Sequence, residues 1–248
     1  LKYTGLIGTK TVTYSISSPS AISTSENIDV QPGTATQVLI KTQAAGAVNG
    51  SNFTTQPVVA IADVSGNTVT SSAATITASL SGATLSGTNS INASSGVSTF
   101  TNLRLTGSSG SYTLVFTSSG LTQGSQSIAL SAGVATQISI SGSASASNAQ
   151  ALASQPIVTI KDASGNVVDT STATVTLTAT GATLSGTTAM AAVAGVADFA
   201  GKGVTLTGLI GAKTITATIT SPSTITANLS VTLTFGTATK LAVSSATV

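Results

Sequence analysis

Gln56-Pro-Val-Val-Ala-Ile-Ala-Asp-Val-Ser-Gly-Asn-Thr-Val69 returns 99 residues later as Gln155-Pro-Ile-Val-Thr-Ile-Lys-Asp-Ala-Ser-Gly-Asn-Val-Val168. A unit of that length repeats as a domain, not as one turn of a solenoid. In the second copy Val158 and Ile160 alternate with Thr159 and Lys161, the period-two pattern of a strand with one face in a core and one in water. The first copy keeps Val59 and Ile61 on the inward side and places Ala60 and Ala62 outside. Pro57 and Pro156 stand at the strand's start, where a missing N–H does least harm. Asp63, Gly66 and Asn67, matched by Asp162, Gly165 and Asn166, then supply a turn. Asp and Asn side chains bond nearby backbone, and Gly accepts positive φ. With a second strand following, the stretch reads as a hairpin.

Working outward, Gly33-Thr-Ala-Thr-Gln37 recurs as Gly133-Val-Ala-Thr-Gln137 and Gly236-Thr-Ala-Thr-Lys240. These starts divide the chain into the back half of a repeat (1–33), two full repeats (34–132 and 133–235) and the first strand of another (236–248). Each full repeat holds about seven strands separated by Gly, Ser and Asn turns, the signature of an antiparallel β-sandwich. The segment 1–33 is placed by Thr4-Gly-Leu-Ile-Gly-Thr-Lys-Thr-Val-Thr-Tyr-Ser-Ile16, which matches Thr207-Gly-Leu-Ile-Gly-Ala-Lys-Thr-Ile-Thr-Ala-Thr-Ile219. In these strands Val12, Tyr14 and Ile16, like Ile215, Ala217 and Ile219, point to a core while Thr and Ser face water. No long Gly/Pro linker separates the repeats, so a stiff or semi-stiff rod is expected. A chain that starts and stops inside repeats reads as a window on a longer array.

The Asp162–Val168 turn and the alternating Thr174–Leu177 strand that follows it resemble bacterial Ig-like repeats of the invasin/intimin type. So do the Gly195-Val-Ala-Asp-Phe199 run and the strand whose Gly211, Thr216 and Thr218 form Gly-x-x-x-x-Thr-x-Thr. The resemblance covers nearly the whole chain, twice over. It implies all-β, tandem Ig-like sandwiches in a long surface or secreted protein, and it carries no catalytic residues.

Composition narrows the function classes. Charged residues make up 6% of the chain and aromatics 3%, with no Cys, His or Trp. A net charge of +2 over 248 residues makes no electrostatic footprint for nucleic acid or an anionic membrane. Mean hydropathy is high at +0.44, yet no run approaches the ~20 apolar residues that span a bilayer. The apolar residues are spread through strands, which argues against disorder. Few ionisable groups also mean few protons exchanged on unfolding, so stability should vary little with pH.

The search for chemistry finds little. Without His, hydrolytic general-base chemistry has no usual agent, and His/Cys metal sites are excluded. Asp63 and Asp162 are the only acids that recur between repeats. The functional reading makes them calcium ligands at domain junctions; the preferred reading makes them turn formers, because calcium takes several oxygens and no second acid recurs nearby. Glu26 and Asp29 lie close in sequence but are replaced by Leu229 and Thr232 two repeats on, which reads as a solvated edge. Lys10 and Lys213 recur before a strand; an intramolecular cross-link would need a buried lysine, which is rare. The Thr214, Thr216, Thr218 and Thr220 array reads as an ordinary exposed strand face, with ice or glycan contact as its functional alternative. Asn49, Asn52, Asn92 and Asn228 sit in Asn-x-Ser/Thr sequons.

Three functions are compatible with these observations. The first is a self-assembling filament, sheath or surface layer, because uncharged strand edges favour side-by-side association. The second is the spacer stalk of a large adhesin, and the third a glycan- or ice-binding module. In each the segment is extracellular and non-catalytic, with copies of itself and flanking repeats as partners. No cofactor, nucleic acid or membrane insertion is expected.

Overall fold

A computed structural model describes residue 3 and residues 5–238. Among the described residues there is no helix. The chain divides into two compact units, residues 1–131 and 132–248. The segment read as the opening of a further repeat, 236–248, lies outside the described residues beyond position 238.

The first unit opens with a hairpin of β1 (Gly8–Ile16) and β2 (Ile22–Val30), antiparallel in unbroken register. Ten further strands follow: β3 (Gln37–Thr42), β4 (Ala47–Val48), β5 (Val58–Ala62), β6 (Thr75–Ser79) and β7 (Thr84–Ser86), then β8 (Ser90–Asn92), β9 (Val97–Thr99), β10 (Arg104–Thr106), β11 (Gly110–Thr117) and β12 (Gly124–Ser131). They form sheets in the orders β3-β5-β9 and β4-β12-β11-β6-β8, with β7 and β10 paired beside them. One core joins Val38, Val59 and Ile61 of the smaller sheet to Ile76, Leu114, Phe116, Ile128 and Leu130 of the larger. That is a β-sandwich, built as alternation demands: Leu114 and Phe116 are buried while Thr113 and Thr117 face water.

The second unit repeats this plan with β13 (Gln137–Ser141), β14 (Ser145–Ser147), β15 (Ile157–Lys161), β16 (Thr174–Thr180) and β17 (Thr183–Ser185), then β18 (Ala189–Ala191), β19 (Val196–Asp198), β20 (Thr205–Thr207), β21 (Gly211–Ile219) and β22 (Ile225–Thr234). Its sheets are β13-β15-β19, β14-β22-β21-β16-β18 and β17-β20. Val158, Ile160, Val175, Leu177, Phe199, Ile215 and Val231 share its core.

Three sequence expectations change. The first is the strand count: each repeat holds ten elements instead of about seven, because Gly, Ser and Asn cut the chain into short pieces. Five elements per repeat have three residues or fewer. Pairing is also not wholly antiparallel. β4 and β14 run parallel to β12 and β22, since the chain leaves the smaller sheet after β3 or β13 and crosses to the edge of the larger.

Second, Ala60 and Ala62 are fully buried instead of facing out. Ala60 pairs with Leu39 on one side and Val97 on the other, and those larger side chains cover its single methyl. Third, the apolar face of β1–β2 is not buried: Tyr14, Ile16 and Ile22 are more than half exposed. Of the matching residues of β21–β22, Ala217 and Ile219 are buried and Ile225 is half-buried, because they share a core with β13, β15 and the β19–β20 region. Among the described residues no second sheet covers the β1–β2 face.

The two cores solve one packing problem in opposite ways. In the first unit Phe116 pairs across strands with Ala78, and its ring lies 5.6 Å from that of Phe100. In the second, the same pair is Ala217 with Leu177, so the bulk has moved to the neighbouring strand while all four side chains stay buried. Close-packed interiors require such compensation. Phe116→Ala is therefore expected to destabilise the first repeat by about 3–5 kcal/mol through a cavity. Ala78→Leu should cost about 1–3 kcal/mol through overpacking. The double variant should recover at least half of the summed loss in a denaturant-unfolding cycle; strict additivity would refute the compensation.

Candidate functional site: the turn carboxylates

Asp63 follows β5, and Asp162 follows β15, each at the first position of a tight turn. The Gly66 and Gly165 φ values of 82° and 84° leave no room for a residue with a Cβ in its preferred backbone region, although space around them is open. Asp63 Oδ1 accepts the N–H groups of Ser65 at 2.9 Å and Asn67 at 3.0 Å. Its Oδ2 accepts Asn67 Nδ2–H at 3.0 Å and the Gly33 N–H at 2.8 Å. Asp162 repeats the set with Ser164, Asn166 and Gly133 at 2.8–3.0 Å. Gly33 and Gly133 stand four residues before the first strand of each repeat. The carboxylate thus pins a strand entry to a turn some 30 residues away.

The carbonyl of the same Asp is held as well. Gln37 Nε2 donates to the Asp63 carbonyl, and Gln137 Nε2 to that of Asp162, both at 2.6 Å. A second glutamine clamp sits at the other end of the quoted stretch. Gln56 donates to the Leu103 carbonyl at 2.9 Å and accepts the Leu103 N–H at 3.0 Å; Gln155 does the same to Val204. Asn49 Oδ1 and Asn148 Oδ1 accept the N–H groups of Gly107 and Gly208. Sequence reasoning missed Gln37, Gln137, Gln56 and Gln155 as functional. Their only signal was identity at matching positions of both copies, because an amide suggests no chemistry by itself.

Electrostatically the site is built for its own anion. Asp63 is 5% exposed, and its carboxyl is lowered from 3.8 to about 2. The largest cause is the Asn67 side-chain bond, followed by the Gly33 N–H; burial opposes them, and the Asn67 and Ser65 N–H groups add to the lowering. The positive ends of four N–H dipoles point at the two carboxylate oxygens and stabilise their charge. Among the described residues, no three His, Cys, Asp or Glu side chains come together.

The remaining candidates are dispersed. Glu26 and Asp29 are three positions apart on β2, which puts them on opposite faces, and Asp29 accepts from Gln31. Lys10 and Lys213 lie opposite Ile28 and Val231 at matching positions of their hairpins. Thr214, Thr216 and Thr218 are half-buried and flanked in register by Thr180, Thr178 and Thr176 and by Ser230, Asn228 and Thr226. Thr216 donates to Asn228 at 2.8 Å. Among the sequon asparagines, Asn52 is exposed, while Asn92 accepts from Thr75.

No protein-family model and no curated protein sequence matches the chain. Solved structures do. The fold is similar to FdeC, an Escherichia coli adhesin, at 16% identity and a TM-score of 0.42, covering 92% of this chain and 74% of that one. Surface layer protein SbsC, domains 4–9, is similar at 20% identity and a TM-score of 0.33, covering 92% of this chain and 36% of that one. Invasin, a bacterial integrin-binding protein, is similar at 17% identity and a TM-score of 0.35, covering 80% of this chain and 39% of that one. At these identities each is a likeness of fold. An invasin is thus among the structures the chain resembles, as the turn and strand motifs led us to expect.

Folding lowers the Asp63 pKa, so the native state binds its proton less tightly than the unfolded chain, whose carboxyl titrates near 4. The stabilisation is complete above about pH 4 and declines as pH falls towards about 2. The melting temperature should therefore be level from pH 8 to 5 and fall below 4. Asp63→Asn should melt lower than the parent at pH 7 and lose less between pH 4 and 2. A variant with the parent's acid profile would refute the assignment.

Proposed function

We propose that this segment is a non-catalytic, architectural part of an extracellular bacterial surface protein, in which tandem Ig-like sandwiches act as spacers. The observation that carries this reading is the duplicated latch. Each repeat closes its own core and ties its entry strand to its Asp turn through the same five-residue set of bonds. The polar side chains that converge are spent on holding backbone, and among the described residues none is left as an acid–base pair or nucleophile aimed into a cleft.

Lateral self-assembly is the second reading, and the sheet surfaces favour it. Of the eight edge strands of the three- and five-stranded sheets, only β3 with Lys41 and β19 with Asp198 carry a charge. The edges are nevertheless mostly two or three residues long, and short edges are themselves a guard against pairing. The long strands β11, β12, β21 and β22 lie inside their sheets, and β1 and β2, nine residues each and both at an edge, carry Lys10, Glu26 and Asp29. The spacer reading is therefore the stronger, and β13, five uncharged residues at an edge, is the place where lateral pairing would begin.

Electron microscopy of the purified chain over a range of concentrations separates the two. Dispersed single particles that lengthen by a fixed step per added repeat are expected for a spacer. Ordered fibres or sheets would overturn it in favour of assembly, and Ser139→Lys should then dissolve them.

The Asp63 and Asp162 turns are held by hydrogen bonds and need no calcium. Millimolar calcium or a chelator should leave the melting temperature unchanged; a rise of several degrees with calcium would assign an ion site.

A further inference from the structure

Thr4–Gly8 and Thr207–Gly211 have the same sequence, Thr-Gly-Leu-Ile-Gly, and each leads into a nine-residue strand. In the first unit this loop has an occupant. Asn67 Nδ2 donates to the Gly5 carbonyl at 2.9 Å, and the Ile7 N–H donates to Asn67 Oδ1 at 3.3 Å. In extended backbone the carbonyl of one residue and the N–H two positions on point to the same side. The Asn67 carboxamide lies across them as a peptide group of a neighbouring strand would. Asn67 is itself clamped by Asp63 through both its N–H and its Nδ2, so the amide is presented with little freedom to lose.

The second copy of the loop has the same entry into its strand, with φ of 107° at Gly8 and 118° at Gly211. There Leu209 is 85% exposed and Ile210 49%, against 70% and 39% for Leu6 and Ile7 beneath the Asn67 turn. Phe235, 80% exposed, lies across from Leu209 by extension of the Gly211↔Leu233 register. The Gly208 carbonyl accepts Asn148 Nδ2 at 2.9 Å, which leaves its second lone pair for another donor.

We propose that the Thr207–Gly211 loop is a receiving site for the Asp-x-Ser-Gly-Asn turn of a further Ig-like repeat, whose asparagine amide bridges the Gly208 carbonyl and the Ile210 N–H. The proposal rests on the tandem-spacer reading and names the contact by which one repeat engages the next. Two uncharged hydrogen bonds make a weak contact between separate molecules, so the site works when a tether holds the turn nearby at high effective concentration. Because no charge takes part, the contact is insensitive to salt.

The test extends the full chain past Val248 with a copy of residues 46–131, which completes a repeat on residues 236–248. Hydrogen exchange at the Ile210 amide should slow by about tenfold or more relative to the unextended chain. It should return to the original rate when the asparagine copied from Asn67 is changed to Ala. An unchanged Ile210 rate, with the added strands' own amides protected, overturns the docking. The particle would still lengthen in that case, so the spacer reading would survive. Should the added copy show no protection of its own, the decision passes to the original chain. There Asn67→Ala must speed exchange at Ile7 by about tenfold without changing the β5 amides, and an unmoved Ile7 overturns the proposal.

Discussion

A chain with almost no charge, no disulfide and few aromatic rings must hold its loops by hydrogen bonds from polar side chains to backbone, and the structure hangs on that constraint. Burying a peptide N–H or carbonyl without a partner is costly. Among the described residues no buried side-chain nitrogen or oxygen lacks one. The Asp63 and Asp162 carboxylates are the most crowded points of this arrangement. Each gathers two backbone N–H groups of its own turn, the carboxamide of an asparagine, and the N–H of the glycine at the repeat's entrance.

From this follows the division of labour within each repeat. The strands close the core by alternation and need little help. The places where the chain changes sheet or reverses carry the amide and carboxylate clamps: Gln56 and Gln155 over the β9–β10 and β19–β20 connections, and Gln37 and Gln137 over the Asp turns. In the first repeat Gln126 adds a clamp of its own, donating to the Ala44 carbonyl and accepting its N–H, both at 2.9 Å. Leu229 takes that place in the second repeat and packs against the core. The same joint is thus polar in one copy and apolar in the other.

The Phe116–Ala78 and Ala217–Leu177 pairs show equivalent freedom in the core. What is preserved between the copies is the filled volume between two facing strands, not the identity of either residue. A reader comparing single positions sees Phe become Ala and expects a hole. The cross-strand partner grows instead, and the buried space stays filled.

Much of this was legible in the residues. The repeat, the alternating faces of β11, β15 and β21, the Pro at the strand start and the Asp-x-Ser-Gly-Asn turn are all local patterns. They are written within a few positions of one another, where period-two burial and positive φ impose their demands directly. The partners of the clamps were not legible, because they lie far away in sequence: Gly33 is 30 residues from Asp63, Leu103 is 47 from Gln56, and Ala44 is 82 from Gln126. Nor was the burial of Ala60 and Ala62, since a small residue is covered or bare according to the neighbours that sheet pairing brings beside it. The exposed face of β1–β2 makes the same point from the other side. Its sequence is patterned like that of β21–β22, but a patterned face becomes a core only where a second sheet lies on it. Sequence alone determined which residues form strands and turns. Tertiary structure decided which amides hold them, because a hydrogen bond depends on distance in space and not on separation along the chain.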